Sequence, residues 1–415
     1  MVYMIMKKKL LLVIILASLT LRLLLGYFLD GSFDTFAWKT IAAALRNGEG
    51  IYSSKTIYFS PTWQLYNYPP LWAYVIQIFD GLSRVFHLPF SFFLKIPVMV
   101  AEIIMVYIIS SQSKKFHDRF KVWLLLYANP FAIILAGYHG QFDLLFLLFI
   151  VLAICSVESK KWLFVILYNA ISLAWKTIPL IVLPAQVNSW PKGGKKILIL
   201  FSIISLPMLF LMPYVFDPKS VNGVTRIFNY YGLTGVWGLP KALDWLLRPL
   251  PDGLNSWILT GYLEHRKNIF IIFYLFTTSM VYLSKMKMLR GVYVLFLTFN
   301  CFASGFGVQY FYWLLPFGLW LKRFKEMTVY LFLVTIFSLG FYLKYLSFHD
   351  KQLVFFSQTI VAFYEKFHLA GIIGSLIYIL CFWWWLQEIK IMIKPAMLII
   401  GRTRENLFKK FLFKG

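Results

Sequence analysis

The sequence contains few charged residues. Only 14% of its 415 residues are Asp, Glu, Lys or Arg, whereas 60% are hydrophobic. Because about a quarter of the residues in a soluble domain are charged, this composition excludes an ordinary globular protein. Apolar runs long enough to cross the roughly 30 Å of bilayer hydrocarbon recur along the chain, which leaves little room for a soluble domain.

Acidic residues and cysteines are also scarce. The chain has 17 acidic residues against 41 basic ones, a formal net charge of +24. The basic residues stand in short clusters between apolar runs, where they orient helices in a membrane, so we do not expect nucleic-acid binding. Cys155, Cys301 and Cys381 lie inside apolar runs without a paired or metal-ligand spacing. They therefore give no evidence for disulfides or redox chemistry.

The apolar runs predict an all-α, polytopic transmembrane protein with about 12 crossings. The predicted crossings are 10–28, 92–109, 122–137, 142–157, 162–174, 178–187, 197–215, 269–283, 292–306, 310–321, 328–342 and 372–386. A further run, 71–86, is interrupted by Gln77, Asp80 and Arg84. We assign this run to the membrane surface.

The distribution of charge sets the predicted orientation. With 71–86 left at the surface, most basic clusters fall on one side, which the positive-inside rule makes cytoplasmic. Both termini are then cytoplasmic, and two long outer loops span 30–91 and 216–268. We interpret 1–390 as one transmembrane domain and 391–415 as a basic cytoplasmic tail of an integral membrane protein.

This topology brings the unusual polar residues to the outer face. They are Asp30, Asp34, Tyr68, His139, Gln141, Asp143, Lys176, Arg226, His265, Gln309 and Tyr310. A carboxylate here can accept the proton of a hydroxyl that attacks a sugar carbon. A phosphate leaving group departs as an anion, which nearby cations stabilise, and Lys176, Arg226 and His265 are available for this role.

Several of these residues have alternative interpretations. Asp30 and Asp34 could solvate the end of the first helix. His139 and Asp143, four residues apart, could hold a divalent metal, although no third ligand is evident; no other cofactor is indicated. Arg22 and Glu102 lie inside predicted crossings, where we interpret Glu102 as structural, with Arg22 either snorkelling or pairing with it.

Five segments, in order along the chain, resemble the GT-C superfamily of membrane glycosyltransferases that use polyprenyl-phosphate sugars. The segments are Phe33-Asp34-Thr-Phe-Ala-Trp38; Gly48-Glu-Gly-Ile-Tyr52 with Tyr68-Pro69-Pro70-Leu71; Asn129-Pro130 before Tyr138-His-Gly-Gln-Phe-Asp143; Trp175-Lys176-Thr-Ile-Pro179; and Gly307-Val-Gln309-Tyr310 through Pro316. A weaker likeness covers Arg226 to Tyr231 and Gly235 to Gly238, and the C-terminal quarter has none.

The resemblance implies a GT-C-like fold whose long first outer loop carries surface helices. It makes Asp34 the expected general base, with Asp30 second. The expected donor is a polyprenyl-phosphate sugar, with mannose or glucose transferred. The acceptor stays open between a cell-envelope glycan, a lipid-linked oligosaccharide and a protein.

We therefore predict an inverting membrane glycosyltransferase that is embedded in membrane lipid and acts on the outer face. In this hypothesis His139, Gln141 and Asp143 orient sugar or acceptor, while Lys176, Arg226 and Gln309 hold the phosphate. The alternative is a polytopic transporter or lipid-linked-sugar flippase. Transporters place ionisable residues near the midplane between internal repeats, and no internal repeat is visible here.

Overall fold

The computed structural model describes residues 2–53, 58–60, 63–64, 66–229, 238–247, 249, 251–303, 305–349 and 354–412. Nearly all of this part of the chain is helical. A small antiparallel hairpin, β1 (Tyr58–Ser60) and β2 (Trp63–Gln64), lies in the first predicted outer loop.

The helices of the first half follow the predicted apolar runs closely. They are α1 (Val2–Phe28), α2 (Phe33–Arg46), α3 (Pro70–Phe86), α4 (Phe90–Ser111), α5 (Phe116–Tyr127), α6 (Pro130–His139), α7 (Asp143–Glu158), α8 (Trp162–Trp175), α9 (Ile178–Val187) and α10 (Gly194–Val215). The last turns of α5 and α6 widen to π-helix, and α9 begins as a 3₁₀ turn.

The helices of the second half extend beyond the predicted crossings. They are α11 (Val221–Asn229), α12 (Leu239–Leu247), α13 (Asp252–Leu283), α14 (Met288–Phe302), α15 (Tyr310–Trp320), α16 (Phe324–His349), α17 (Val354–Lys366) and α18 (Leu369–Leu412). The described part of the predicted loop 216–268 is therefore largely helical. Polar residues affect how deep a helix lies in the membrane, but they do not by themselves end it. For the same reason α18 continues through the boundary predicted near residue 391.

Five described helices are long and apolar enough to cross a membrane. These spans are Met6–Phe28, Phe90–Ser111, Gly194–Val215, Phe324–Lys344 and Leu369–Ile399. The pair α5 and α6, bent by 50°, would make a sixth span, and α8, α9 and α14 are shorter apolar helices. The described helices are thus those of a polytopic helical membrane protein, although length and composition support fewer spans than the twelve predicted.

The chain divides into two compact units. The first consists of Met1–Pro179, Lys192–Tyr230 and Phe311–Ala370, and the second of Leu180–Pro191, Tyr231–Tyr310 and Gly371–Gly415. In the second unit, the Trp385 indole N–H lies within hydrogen-bond distance of the hydroxyls of Thr277, at 3.2 Å, and Thr298, at 3.1 Å. This contact joins α18 to α13 and α14.

In the first unit, the predicted crossing 122–137 consists of two helices with a break between them. Pro130 has no N–H and so cannot continue the hydrogen bonding of α5. The Asn129 side chain bridges the break, since its Nδ2 donates to the Leu125 carbonyl at 2.8 Å and its Oδ1 accepts from the Ala132 N–H at 2.8 Å. Asn129 therefore ends one helix and caps the next.

The other carbonyls freed at the break are bound by side chains from distant helices. Tyr312 donates to the Leu126 carbonyl at 3.1 Å, and Arg22 donates to the Tyr127 carbonyl. Arg22 also pairs through two nitrogens with Glu102, at 2.9 and 3.0 Å, and both side chains are fully buried. Of the two alternatives that the sequence left open for Arg22, the structure shows the pairing with Glu102. Irregular backbone at membrane depth is tolerated where protein groups satisfy it in this way.

Candidate functional site

The candidate site is centred on Asp34, in the first turn of α2. Ser32 caps this helix, because its hydroxyl accepts from the Asp34 backbone N–H at 3.3 Å. A carboxylate is favourable at this position, since the helix N-terminus carries partial positive charge. The short loop between α1 and α2 therefore places the Asp34 side chain just beyond the end of the first span.

A tight contact holds this loop against the turn that follows α6. Gly31 has φ +102, and a Cβ there would come within 2.7 Å of the Tyr138 carbonyl oxygen. The Thr35 hydroxyl donates to the His139 carbonyl at 3.3 Å, which ties α2 to the same turn. A side chain at Gly31 would push the two segments apart, so the sequence needs glycine at this position.

The turn itself brings His139 and Gln141 to Asp34. It passes through Gly140 in the left-handed region, at φ +70, and α7 begins at Asp143. Lys95, a buried lysine that the sequence reasoning missed, packs its methylene groups beneath Gly140. The Lys95 ammonium also donates to the Leu29 carbonyl at 2.9 Å, so one side chain supports both the turn and the end of α1.

The two oxygens of the Asp34 carboxylate have different surroundings. Oδ2 lies 2.7 Å from His139 Nε2 and 2.6 Å from Gln141 Nε2. Oδ1 has no hydrogen-bond partner among the described residues, and 28% of the side chain is exposed. One oxygen is therefore held in place while the other can receive a ligand.

The same contacts keep Asp34 ionised. Burial raises the pKa of this carboxyl, but the hydrogen bonds from His139 and Gln141 and the charge of Lys176 outweigh burial. Together they hold the pKa of Asp34 below its ordinary value of 3.8. At neutral pH the site therefore presents a carboxylate, which is the form that can accept a proton.

Tyr342 completes this arrangement, and sequence reasoning did not select it. Its hydroxyl lies 2.6 Å from His139 Nδ1, and it is buried. Since an ionised carboxylate only accepts hydrogen bonds, the Asp34 contact requires a proton on His139 Nε2. In the neutral ring, Nδ1 then accepts from the Tyr342 hydroxyl. The one available signal was the position of Tyr342 at the end of predicted crossing 328–342.

Asp143 and Lys176 form a second, buried pair. The Lys176 ammonium donates to Asp143 Oδ1 at 2.8 Å, and the Trp313 indole donates to Oδ2 at 2.9 Å. The ammonium also lies 5.3 to 5.9 Å from four aromatic ring centres, those of Tyr68, Phe142, Phe146 and Trp313. Lys176 is therefore already bound to a carboxylate, and its contact with a donor phosphate stays a prediction.

Three aromatic residues of the first outer loop, Trp38, Tyr68 and Trp72, are core residues of the first unit. Tyr68 is buried, and its ring centre lies 5.5 Å from that of Trp38 and 4.9 Å from that of Phe142. Trp72 stacks on Phe142 at 4.5 Å. These rings fasten α2 and α3 to the turn that carries Gln141, so they hold the site's framework together.

The remaining predicted site residues are described by the parts of the chain to which they belong. Asp30 accepts from Lys39 at 2.6 Å, and 66% of its side chain is exposed. Arg226 belongs to α11. Residues 230–237 lie outside the described residues, and they include Tyr230, Tyr231 and Gly235 to Trp237 of the weaker likeness. The second unit contains His265, exposed on α13, and the buried residues Gln309 and Tyr310.

The described residues contain no group of three or more His, Cys, Asp or Glu side chains that could hold a metal ion. His139 and Asp143, the pair suggested by spacing, make their hydrogen bonds with different partners: His139 with Asp34 and Tyr342, Asp143 with Lys176 and Trp313.

Comparison with known proteins gives no identification. No protein-family model matches this chain. No curated protein matches it either. The function of the protein therefore has to be inferred from the site around Asp34.

Proposed function

We propose that this protein is a membrane glycosyltransferase. In this proposal it transfers a hexose, mannose or glucose, from a polyprenyl-phosphate donor to an acceptor hydroxyl on the extracytoplasmic face, with inversion. The supporting observation is the Asp34 carboxylate, whose Oδ2 is held by His139 and Gln141 while Oδ1 is open. The polyprenyl-phosphate donor comes from the sequence resemblance.

The proposed reaction is a single displacement. The acceptor oxygen forms a bond to the anomeric carbon, and its proton passes to Asp34 Oδ1. The bond between that carbon and the phosphate oxygen breaks, and polyprenyl phosphate leaves with the electron pair. Attack from the face opposite the leaving group inverts the carbon. A carboxylate with a lowered pKa suffices, because the hydroxyl becomes acidic as its oxygen bonds to carbon.

His139 and Gln141 act in this proposal by orientation. Two donors on one oxygen restrict rotation of the carboxylate, so that Oδ1 keeps its direction toward the acceptor. Tyr342 sets the proton of His139 on the nitrogen that faces Asp34. Such preorganisation spares the enzyme the cost of arranging charge during the reaction.

The phosphate-binding role of Lys176 belongs to the same proposal, and those of Arg226 and Gln309 stay predictions from the sequence. A donor phosphate near Lys176 would compete with Asp143 for its ammonium, and the aromatic rings around that ammonium keep water from screening its charge. Cations fixed in a dry site stabilise an anionic leaving group more strongly than in water.

We also propose that α7, α8, α9, α13, α14 and α15 cross as well, which with the five spans and the bent pair makes about 12 crossings, with both termini cytoplasmic. Labelling of single cysteines by a membrane-impermeant reagent tests this topology. A cysteine at Lys39 should react from outside intact cells, whereas one at Lys115 should react only after permeabilisation. The reverse result would overturn the orientation.

The decisive experiment compares purified wild-type, Asp34→Asn and Asp30→Asn proteins. Each is incubated in proteoliposomes with radiolabelled polyprenyl-phosphate mannose or glucose and a glycan acceptor fraction. We expect Asp34→Asn to lose about 10²- to 10⁴-fold in kcat, the range of a general base. Asp30→Asn, the matched control, should retain activity. Full turnover by Asp34→Asn would remove Asp34 as the base, and lipid movement without a glycosyl product would favour the flippase.

A further inference from the structure

Gln141 contributes an acceptor atom whose partner the described residues do not supply. Its side chain is 1% exposed, and Nε2 donates to Asp34 Oδ2 at 2.6 Å. Its other terminal atom, Oε1, is buried and has no hydrogen-bond partner in the described part of the chain. A buried acceptor without a partner is costly, so it demands a ligand or water.

The orientation of the Gln141 amide follows from chemistry. The Asp34 carboxylate is ionised and can only accept hydrogen bonds, so the amide must present its NH₂ group to Oδ2. Oε1 therefore points away from that contact as an acceptor. The site then offers two acceptor atoms with no donor from the described residues, Asp34 Oδ1 and Gln141 Oε1.

These two acceptors are close enough to bind one small ligand. Standard bond lengths, together with the 2.6 Å hydrogen bond, place Oδ1 and Oε1 within about 7 Å of each other. Neighbouring hydroxyl oxygens on a sugar ring are about 3 Å apart, and hydrogen bonds of about 2.7 Å at each end extend their reach to roughly 8 Å. Two adjacent hydroxyls can therefore reach both acceptors together.

We propose that the acceptor substrate is a sugar or similar polyol that presents two neighbouring hydroxyls to this site. One hydroxyl loses its proton to Asp34 Oδ1 and forms the new glycosidic bond, and the other donates to Gln141 Oε1 and stays intact. A serine or threonine side chain has a single hydroxyl and leaves Gln141 unsatisfied. This inference rests on the proposed function, and it narrows the acceptor to a glycan or a lipid-linked sugar.

The test measures transfer from polyprenyl-phosphate mannose to several acceptors, and it compares wild type with two variants. The acceptors are octyl mannoside, its monodeoxy analogues and octanol, which has one hydroxyl. For wild type, we expect kcat/KM to be at least about tenfold higher with octyl mannoside than with octanol or with the one monodeoxy analogue that lacks the bound hydroxyl. The reason is that a site built to bind a hydroxyl rejects analogues that lack it. In Gln141→Met this preference should fall to about one, while Gln77→Met, a control on the exposed face of α3, should keep it.

The possible outcomes separate the two claims. If wild type forms no glycosyl product from either polyprenyl-phosphate mannose or polyprenyl-phosphate glucose, even with an acceptor from its own membranes, the proposed function fails. If wild type transfers to octanol or to every monodeoxy analogue as well as to octyl mannoside, the acceptor inference fails. This result depends on wild type alone, so it does not require a variant that folds. The last set of measurements uses donors that each lack one sugar hydroxyl. If Gln141→Met changes the preference among these donors instead of the preference among the acceptors, the inference is also overturned.

Discussion

Replacing Tyr342 by phenylalanine tests whether the His139 contact matters for transfer. The variant removes a hydroxyl that lies 2.6 Å from His139 Nδ1 and keeps the ring, which packs edge-on against His139 at 5.4 Å. A buried acceptor left without its partner costs about 1–3 kcal/mol. This cost lowers kcat only as far as the contact is stronger in the transition state, and each 1.4 kcal/mol is tenfold in rate, so kcat should fall by up to about 150-fold.

The KM for the donor should change little, since Tyr342 reaches the site through His139. Initial rates of hexose transfer over a range of donor concentrations separate the two parameters. Tyr330→Phe is the matched control, because it removes a hydroxyl from the same helix, where it donates to the Phe311 carbonyl at 3.1 Å. A kcat within about twofold of wild type, or an equal loss in both variants, would refute the positioning role of Tyr342.

Three further predictions concern charge and backbone. Burial raises the pKa of Asp34, and the contact with His139 helps to hold that pKa below 3.8. His139→Gln should therefore raise the pKa of Asp34, so that on acidification the variant loses activity at a higher pH than wild type. A pH–rate profile that does not move would contradict this prediction. Asp143→Ala leaves a buried lysine without its carboxylate and should destabilise the protein by about 3–5 kcal/mol, measured by unfolding in detergent, whereas a stability equal to wild type would argue against the pair. Gly31→Ala should lower activity because its Cβ meets the carbonyl of residue 138, while Gly48→Ala, where φ is also positive but the space is open, should retain it; equal losses would show that φ alone is responsible.

Much of the helical pattern could be predicted from the sequence. Long apolar runs are a local property, so α1, α4 and α10 lie where hydropathy places them. The run 71–86, which we assign to the membrane surface, forms helix α3. Hydropathy was less informative where a run contained a helix breaker or continued into polar residues, as at Pro130 and in α13, because helix formation depends on backbone hydrogen bonding as well as on polarity.

The candidate site, like the helical pattern, could be predicted from the sequence only in part. The sequence singled out Asp34, His139 and Gln141 as polar residues at the ends of apolar runs, without showing that they touch. Asp30, four residues before Asp34, was the second choice for the general base, yet the fold pairs it with Lys39 near the surface. Lys95 was passed over because it stands alone in an apolar helix, although it supports the turn at Gly140.

Composition and hydropathy by themselves determined that this protein is helical and membrane-embedded, and which polar residues were unusual. Only the tertiary structure decided which of these meet: Asp34 with His139 across 105 residues, and His139 with Tyr342 across 203. The physical reason is that lipid-facing and interior surfaces of membrane helices are both apolar, so the pattern of one helix does not reveal its neighbours. Close packing and the satisfaction of buried polar groups select them, and both depend on the whole fold.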